Sequence, residues 1–96
     1  MVYWCDTVGA ANPQQVYRLV CSARERWPDI EFALHLHDTR GMGLANVLAG
    51  LQAGVRRFDT SIGGLGGCPF AGNRSAAGNI STEDVALMCE EMGIAT

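Results

Sequence analysis

Glu31-Phe32-Ala33-Leu34-His35-Leu36-His37-Asp38 is the stretch on which the fold turns. An extended chain points successive side chains to opposite faces. Phe32, Leu34 and Leu36 therefore share one face, and Ala33, His35 and His37 share the other. The spacing predicts a β-strand over 31–37, apolar on one side, with two imidazoles at the end of the other side.

Helical patterns flank this strand. Val16, Leu19, Val20 and Ala23 are spaced i, i+3, i+4, i+7, and so are Leu44, Val47, Leu48 and Leu51. Val85, Met88, Cys89 and Met92 repeat the spacing a third time. Each set is the apolar stripe of an amphipathic helix. The boundary residues agree. Asn12-Pro13 reads as an N-cap with proline at the first helical position, and Pro28 closes that helix. Gly54 follows the second helix. Ser81-Thr82-Glu83-Asp84 begins the third with a cap and two acids that suit the helix dipole, and Gly93 ends it. Val2 to Cys5 and Val55 to Ile62 read as further strands.

The order is thus β, α, β, α, β, loop, α, with strand-to-strand steps of about 25 to 30 residues. Strands alternating with helices at this period imply parallel strands with right-handed crossovers. A doubly wound sheet and a (β/α)8 barrel both fit. Asp6-Thr7-Val8-Gly9-Ala10 is not a dinucleotide fingerprint, and Gly63-Gly64-Leu65-Gly66-Gly67 is not a phosphate loop. Polar groups instead gather at the C-terminal ends of successive strands, as in barrels. They are Asp6, then His35, His37 and Asp38, then Asp59, Ser61 and Cys68. The expected class is α/β, a partial TIM barrel. A whole barrel takes about 250 residues. The 96 residues here supply three consecutive βα units, with 1–96 forming one portion of a single barrel domain.

Composition narrows the function. The chain is 48% hydrophobic, too apolar for a disordered segment, and has a net charge of −3 with no basic tract. Nucleic acid is therefore not expected as a partner. No apolar run is long enough for a membrane span, and the first residues lack the basic start of a signal peptide. The four cysteines, at 5, 21, 68 and 89, form no C-x-x-C pair and are expected as free thiols. An open three-stranded parallel sheet leaves bare edges and an uncovered face. The chain is therefore expected to associate, as a homo-oligomer or with further barrel strands.

Several residues can do chemistry. His35 and His37 share a strand face, an arrangement that holds one metal ion by two neutral nitrogens or merely lines a polar strand end. Cys68 sits between Gly-Gly-Leu-Gly-Gly and Pro69. It is either a proton-transferring thiol on a loop whose glycines allow close approach to a ligand, or an incidental surface cysteine. Asp6 and Asp59 can orient a histidine, bind substrate or cap a turn. Arg40 suits an anionic substrate or the surface. Asn79 suits a metal or a turn.

Three segments carry a family resemblance. They are His35-Leu36-His37-Asp38-Thr39-Arg40-Gly41, Gly64-Leu65-Gly66-Gly67-Cys68-Pro69-Phe70-Ala71 and Gly78-Asn79-Ile80-Ser81-Thr82-Glu83-Asp84. Together they resemble hydroxymethylglutaryl-CoA lyase. The cysteine loop is the specific part, since the H-x-H segment is shared with isopropylmalate synthase-like enzymes. The resemblance implies a TIM barrel on the C-terminal side of such an enzyme. It implies cleavage of 3-hydroxy-3-methylglutaryl-CoA, or a related 3-hydroxyacyl-CoA, to acetyl-CoA and acetoacetate with Mg²⁺ or Mn²⁺. It makes His35, His37 and Asn79 metal ligands, with Asn73, which also follows a glycine, the rival to Asn79, and Cys68 the loop thiol of proton transfer, with His35 also at the catalytic centre. It sets Asp6, Gly66 and Gly67 beside the acyl-CoA substrate. It implies a cytoplasmic protein in a bacterium and a mitochondrial matrix protein in a eukaryote. The family's Arg-Asp pair of the first strand has no counterpart among these residues. The alternatives are an acyl-CoA condensing synthase and a non-catalytic fragment that binds a partner.

Overall fold

The computed structural model describes residues 1–6, 11–61 and 80–96. Among these residues, three strands alternate with three helices. These are β1 (Val2–Cys5), α1 (Pro13–Arg26), β2 (Phe32–His35), α2 (Gly43–Gln52), β3 (Arg57–Asp59) and α3 (Thr82–Glu91). The strands are parallel and lie in the order β1-β2-β3. A doubly wound sheet reverses direction of growth at a switch point. Sequential order with right-handed crossovers instead keeps the helices on one face. This is the arrangement of consecutive units in a (β/α)8 barrel, as expected.

Local chemistry explains the helix ends. Asn12 accepts from Gln15 N–H at 2.9 Å, while the Gln15 side chain accepts from Asn12 N–H at 3.0 Å. This reciprocal capping box, with Pro13 at the first position, starts α1. Arg24 and Arg26 close it where the dipole favours cations. Ser81 caps α3, and Glu83 and Asp84 stand in its first turn.

The core joins Val16 and Val20 of α1, Leu34 and Leu36 of the β2 segment, and Val47 of α2, with Val55 and Ile80. Helix α2 lies close against the sheet at Gly50, where a Cβ would lie 2.6 Å from Leu34 Cδ1 and 3.0 Å from Phe58 Cε1. The expected stripes are therefore corrected in detail. Leu44, Leu48 and Leu51 are half-buried, and the small residues Gly43, Ala49 and Gly50 are buried with Val47 instead. Leu19 is 57% exposed and Met92 51%. Leu19 rims a groove with Trp4 and Leu34 beside β1, the sheet edge that pairs on one side only.

The strands are shorter than the sequence implied. The ladder extends only where partners overlap, so 31–37 contracts to Phe32–His35, and 55–62 to Arg57–Asp59. Ile62 lies outside the described residues. Beyond β3, Ser61 bridges Ser81 in parallel, with Ser61 N–H donating to the Ile80 carbonyl at 2.9 Å. Residues 80–81 thus stand where a next strand would run.

Candidate functional site

The strand ends build the site. Register makes Cys5 and His35 partners across β1 and β2, and His35 and Asp59 partners across β2 and β3. Paired residues of a parallel ladder project to the same face. His35 therefore meets Asp59 directly, its Nδ1 lying 3.0 Å from Asp59 Oδ2. His37, two residues on, returns to the same face. Its Nε2 lies 3.2 Å from His35 Nε2, and the two rings meet edge-on at 62°. His37 is 2% exposed, whereas His35 is half-buried. The sharing of a face by the two imidazoles is as the alternation predicted.

These groups fit a divalent cation. Two nitrogens each about 2.1 Å from one ion lie about 3.0 Å apart at a right angle and about 3.4 Å at the tetrahedral angle. The observed 3.2 Å falls between. A histidine that ligates through one nitrogen typically donates its other N–H to a carboxylate, and Asp59 stands in that place for His35. Among the described residues no group of three or more His, Cys, Asp or Glu side chains is gathered around one point. Two imidazoles are thus a partial set, which other donors must complete.

The remaining expected site residues divide. Asp6 lies beside the histidines, its backbone N–H donating to the His35 carbonyl at 3.0 Å. Its Oδ2 accepts from Ala11 N–H at 2.9 Å, which is the turn-capping alternative realised. Cys68, Asn79, Gly66 and Gly67 lie outside the described residues. Arg40 is exposed. Asp38 accepts from Gly43 N–H at 2.9 Å at the start of α2. Cys5, Cys21 and Cys89 are free thiols.

One residue escaped the sequence reading. Asn46 is 1% exposed within α2, and its Nδ2 donates to the Ala11 carbonyl at 3.1 Å. Asp6 and Asn46 therefore hold Ala11 by its N–H and its carbonyl, just ahead of α1. The signal was available, since Asn46 is a polar residue set among the apolar residues of α2.

With this geometry in place, the likenesses to known proteins are specific. The HMGL-like family matches residues 1–96. A hydroxymethylglutaryl-CoA lyase of Bacillus subtilis is 52% identical over 91 residues, which are 95% of this chain and 30% of that protein. An (R)-citramalyl-CoA lyase of Chloroflexus aurantiacus is 46% identical over 91 residues, covering 95% and 28%. A solved HMG-CoA lyase of Acinetobacter baumannii, in complex with coenzyme A and 3-methylmalate, superposes with a TM-score of 0.87 at 54% identity. That match covers 98% of this chain and 30% of the other. The chain thus spans about 30% of the length of these relatives.

The expected C-terminal-side position is not borne out: the matches establish that the chain corresponds to about 30% of such a protein. The physical reason is that units of a barrel ring are locally equivalent, so a βα pattern does not number itself. Fold, paired histidines and matched span agree that the chain belongs to the HMGL-like family.

Proposed function

We propose that the protein carrying this chain is a carbon–carbon lyase of the hydroxymethylglutaryl-CoA lyase type. It would cleave 3-hydroxy-3-methylglutaryl-CoA, or a related 3-hydroxyacyl-CoA, to acetyl-CoA and acetoacetate or the corresponding ketone. The observation that carries the reading is the His35–His37 pair, Nε2 to Nε2 at 3.2 Å, at the strand ends of an HMGL-like chain. Residues 1–96 would form part of one barrel domain. The citramalyl-CoA lyase among the relatives supports keeping the acyl group open.

The chemistry assigns a task to each residue type. Cleavage breaks the bond between the hydroxyl-bearing carbon and its acyl-side neighbour. The hydroxyl loses a proton and becomes a ketone, while the electron pair leaves on the acetyl-CoA side as an enolate. That enolate needs a proton, for which we assign Cys68, a thiol flanked by Gly67 and Pro69. His35 and His37, with Asn79, would hold Mg²⁺ or Mn²⁺. When bound, such a cation supplies positive charge that eases ionisation of the hydroxyl. Asp6, Gly66 and Gly67 would border the acyl-CoA. The protein would act in the cytoplasm of a bacterium or the matrix of a mitochondrion, as an oligomer.

The test is an assay of the full-length protein with Mg²⁺ or Mn²⁺. Cleavage of 3-hydroxy-3-methylglutaryl-CoA or citramalyl-CoA, with acetyl-CoA released, is the expected result. Condensation of acetyl-CoA with a keto acid, without cleavage, would assign the protein to the synthases and overturn the lyase reading.

A further inference from the structure

We propose that Asp59 is a positioning residue, whose carboxylate fixes His35 as the Nδ1–H tautomer and so presents the Nε2 lone pair toward His37. This rests on the metal-holding role proposed above for the two histidines, but its first readout needs no metal.

The geometry leaves few arrangements. A neutral imidazole carries one N–H and one lone pair. If His35 bore its proton on Nε2, its Nδ1 lone pair would face the Asp59 carboxylate, two acceptors 3.0 Å apart. With the proton on Nδ1, the same contact is a hydrogen bond donated to the carboxylate. Nε2 is then an acceptor 3.2 Å from His37 Nε2. Without a cation, His37 can donate Nε2–H into that lone pair. With one, both nitrogens turn lone pairs to the ion. Both states require His35 Nε2 to be bare, and Asp59 enforces that.

The contact differs from an ordinary surface ion pair. Such pairs contribute little because long side chains must be held together against their own freedom. Here the partners are short, and the ladder aligns their backbones, because His35 and Asp59 are register partners. The Asp59 side chain is 46% exposed, so its effect is expected in direction of donation rather than in fold stability.

The experiment uses the full-length protein, ¹⁵N-labelled at histidine, free of metal at about pH 8, above the usual imidazole pKa of about 6.5. Long-range ¹H–¹⁵N spectra report which His35 nitrogen carries the proton. The expected result is Nδ1–H in the wild type and a shift to Nε2–H in Asp59→Asn and Asp59→Ala. An amide in place of a carboxylate keeps the shape but can present a donor, favouring the wrong tautomer. Mn²⁺ affinity, read by electron paramagnetic resonance, should fall about 10- to 100-fold in both variants. An Nε2–H or doubly protonated His35 in the wild type overturns the proposal. So does an Asp59→Asn protein with the wild-type tautomer, or one with the wild-type Mn²⁺ affinity where His35→Ala loses it. His35→Ala and His37→Ala separate the two readings. If both retain wild-type Mn²⁺ affinity, the metal role fails and the tautomer alone decides the role of Asp59. If both lose it while Asp59→Asn changes neither readout, only the Asp59 proposal fails.

Discussion

At the scale of single residues, the site depends on which atoms face one another. His35 and His37 lie two apart, so their shared face followed from alternation alone. Their nitrogen-to-nitrogen separation of 3.2 Å makes distinct demands on each variant. His35→Ala in the full-length protein is expected to weaken Mn²⁺ binding and turnover together, because it removes a nitrogen and empties the place next to Asp59. Cys68→Ala is expected to abolish turnover while leaving Mn²⁺ binding unchanged, because a proton-transferring thiol is not a ligand. Titration calorimetry with Mn²⁺ beside a steady-state assay separates the two. Unchanged turnover in either variant would remove the role assigned to that residue. Asp59 was visible in the sequence only as a polar residue near a strand end. Nothing local distinguished histidine orientation from turn capping, and Asp6 does accept a capping bond from Ala11 N–H.

At the scale of elements, the helix boundaries were the most legible feature. Caps, Pro13 and the closing glycines act through neighbours within a few residues, so their meaning is local. Gly54 illustrates how context then changes the magnitude. Both Gly54 (φ +100°) and Gly93 (φ +72°) have positive φ, which side-chain-bearing residues adopt at a cost of about 1–2 kcal/mol. A Cβ at Gly93 meets nothing within 4 Å, whereas at Gly54 it would overlap the Arg24 guanidinium. That guanidinium donates to the Ala53 carbonyl and ties α1 to the end of α2. Gly54→Ala should therefore destabilise by about 2–3 kcal/mol, adding a lost hydrogen bond of about 1 kcal/mol to the backbone cost, and Gly93→Ala by only about 1 kcal/mol. Urea unfolding of the full-length variants checks the difference, and equal midpoints would count against it. The apolar stripes were less legible. Periodicity locates a stripe but not its centre, and close approach at Gly50 moves the centre of α2 onto its small residues.

At the scale of the whole molecule, the described sheet is open. β1 pairs only with β2, and beside it Tyr3, Leu19 and Val2 are 51%, 57% and 39% exposed. A parallel edge flanked by apolar side chains invites another strand–helix unit or another copy. The 96-residue chain expressed alone is therefore expected to self-associate or to remain molten, with dye binding and no sharp thermal transition. Sedimentation as a single monomer with cooperative unfolding would contradict this. The sequence by itself determined the order of elements, their ends, the sharing of one strand face by His35 and His37, and a family resemblance carried by short motifs. These depend on chain geometry and on contacts between near neighbours, which are written into consecutive residues. Only the tertiary structure decided that Asp59 meets His35 across 24 positions of sequence, that Asn46 and Asp6 both hold Ala11, and that Leu19 stays outside. The reason is that strand register and helix rotation are set by how whole elements pack, and no single segment contains that information.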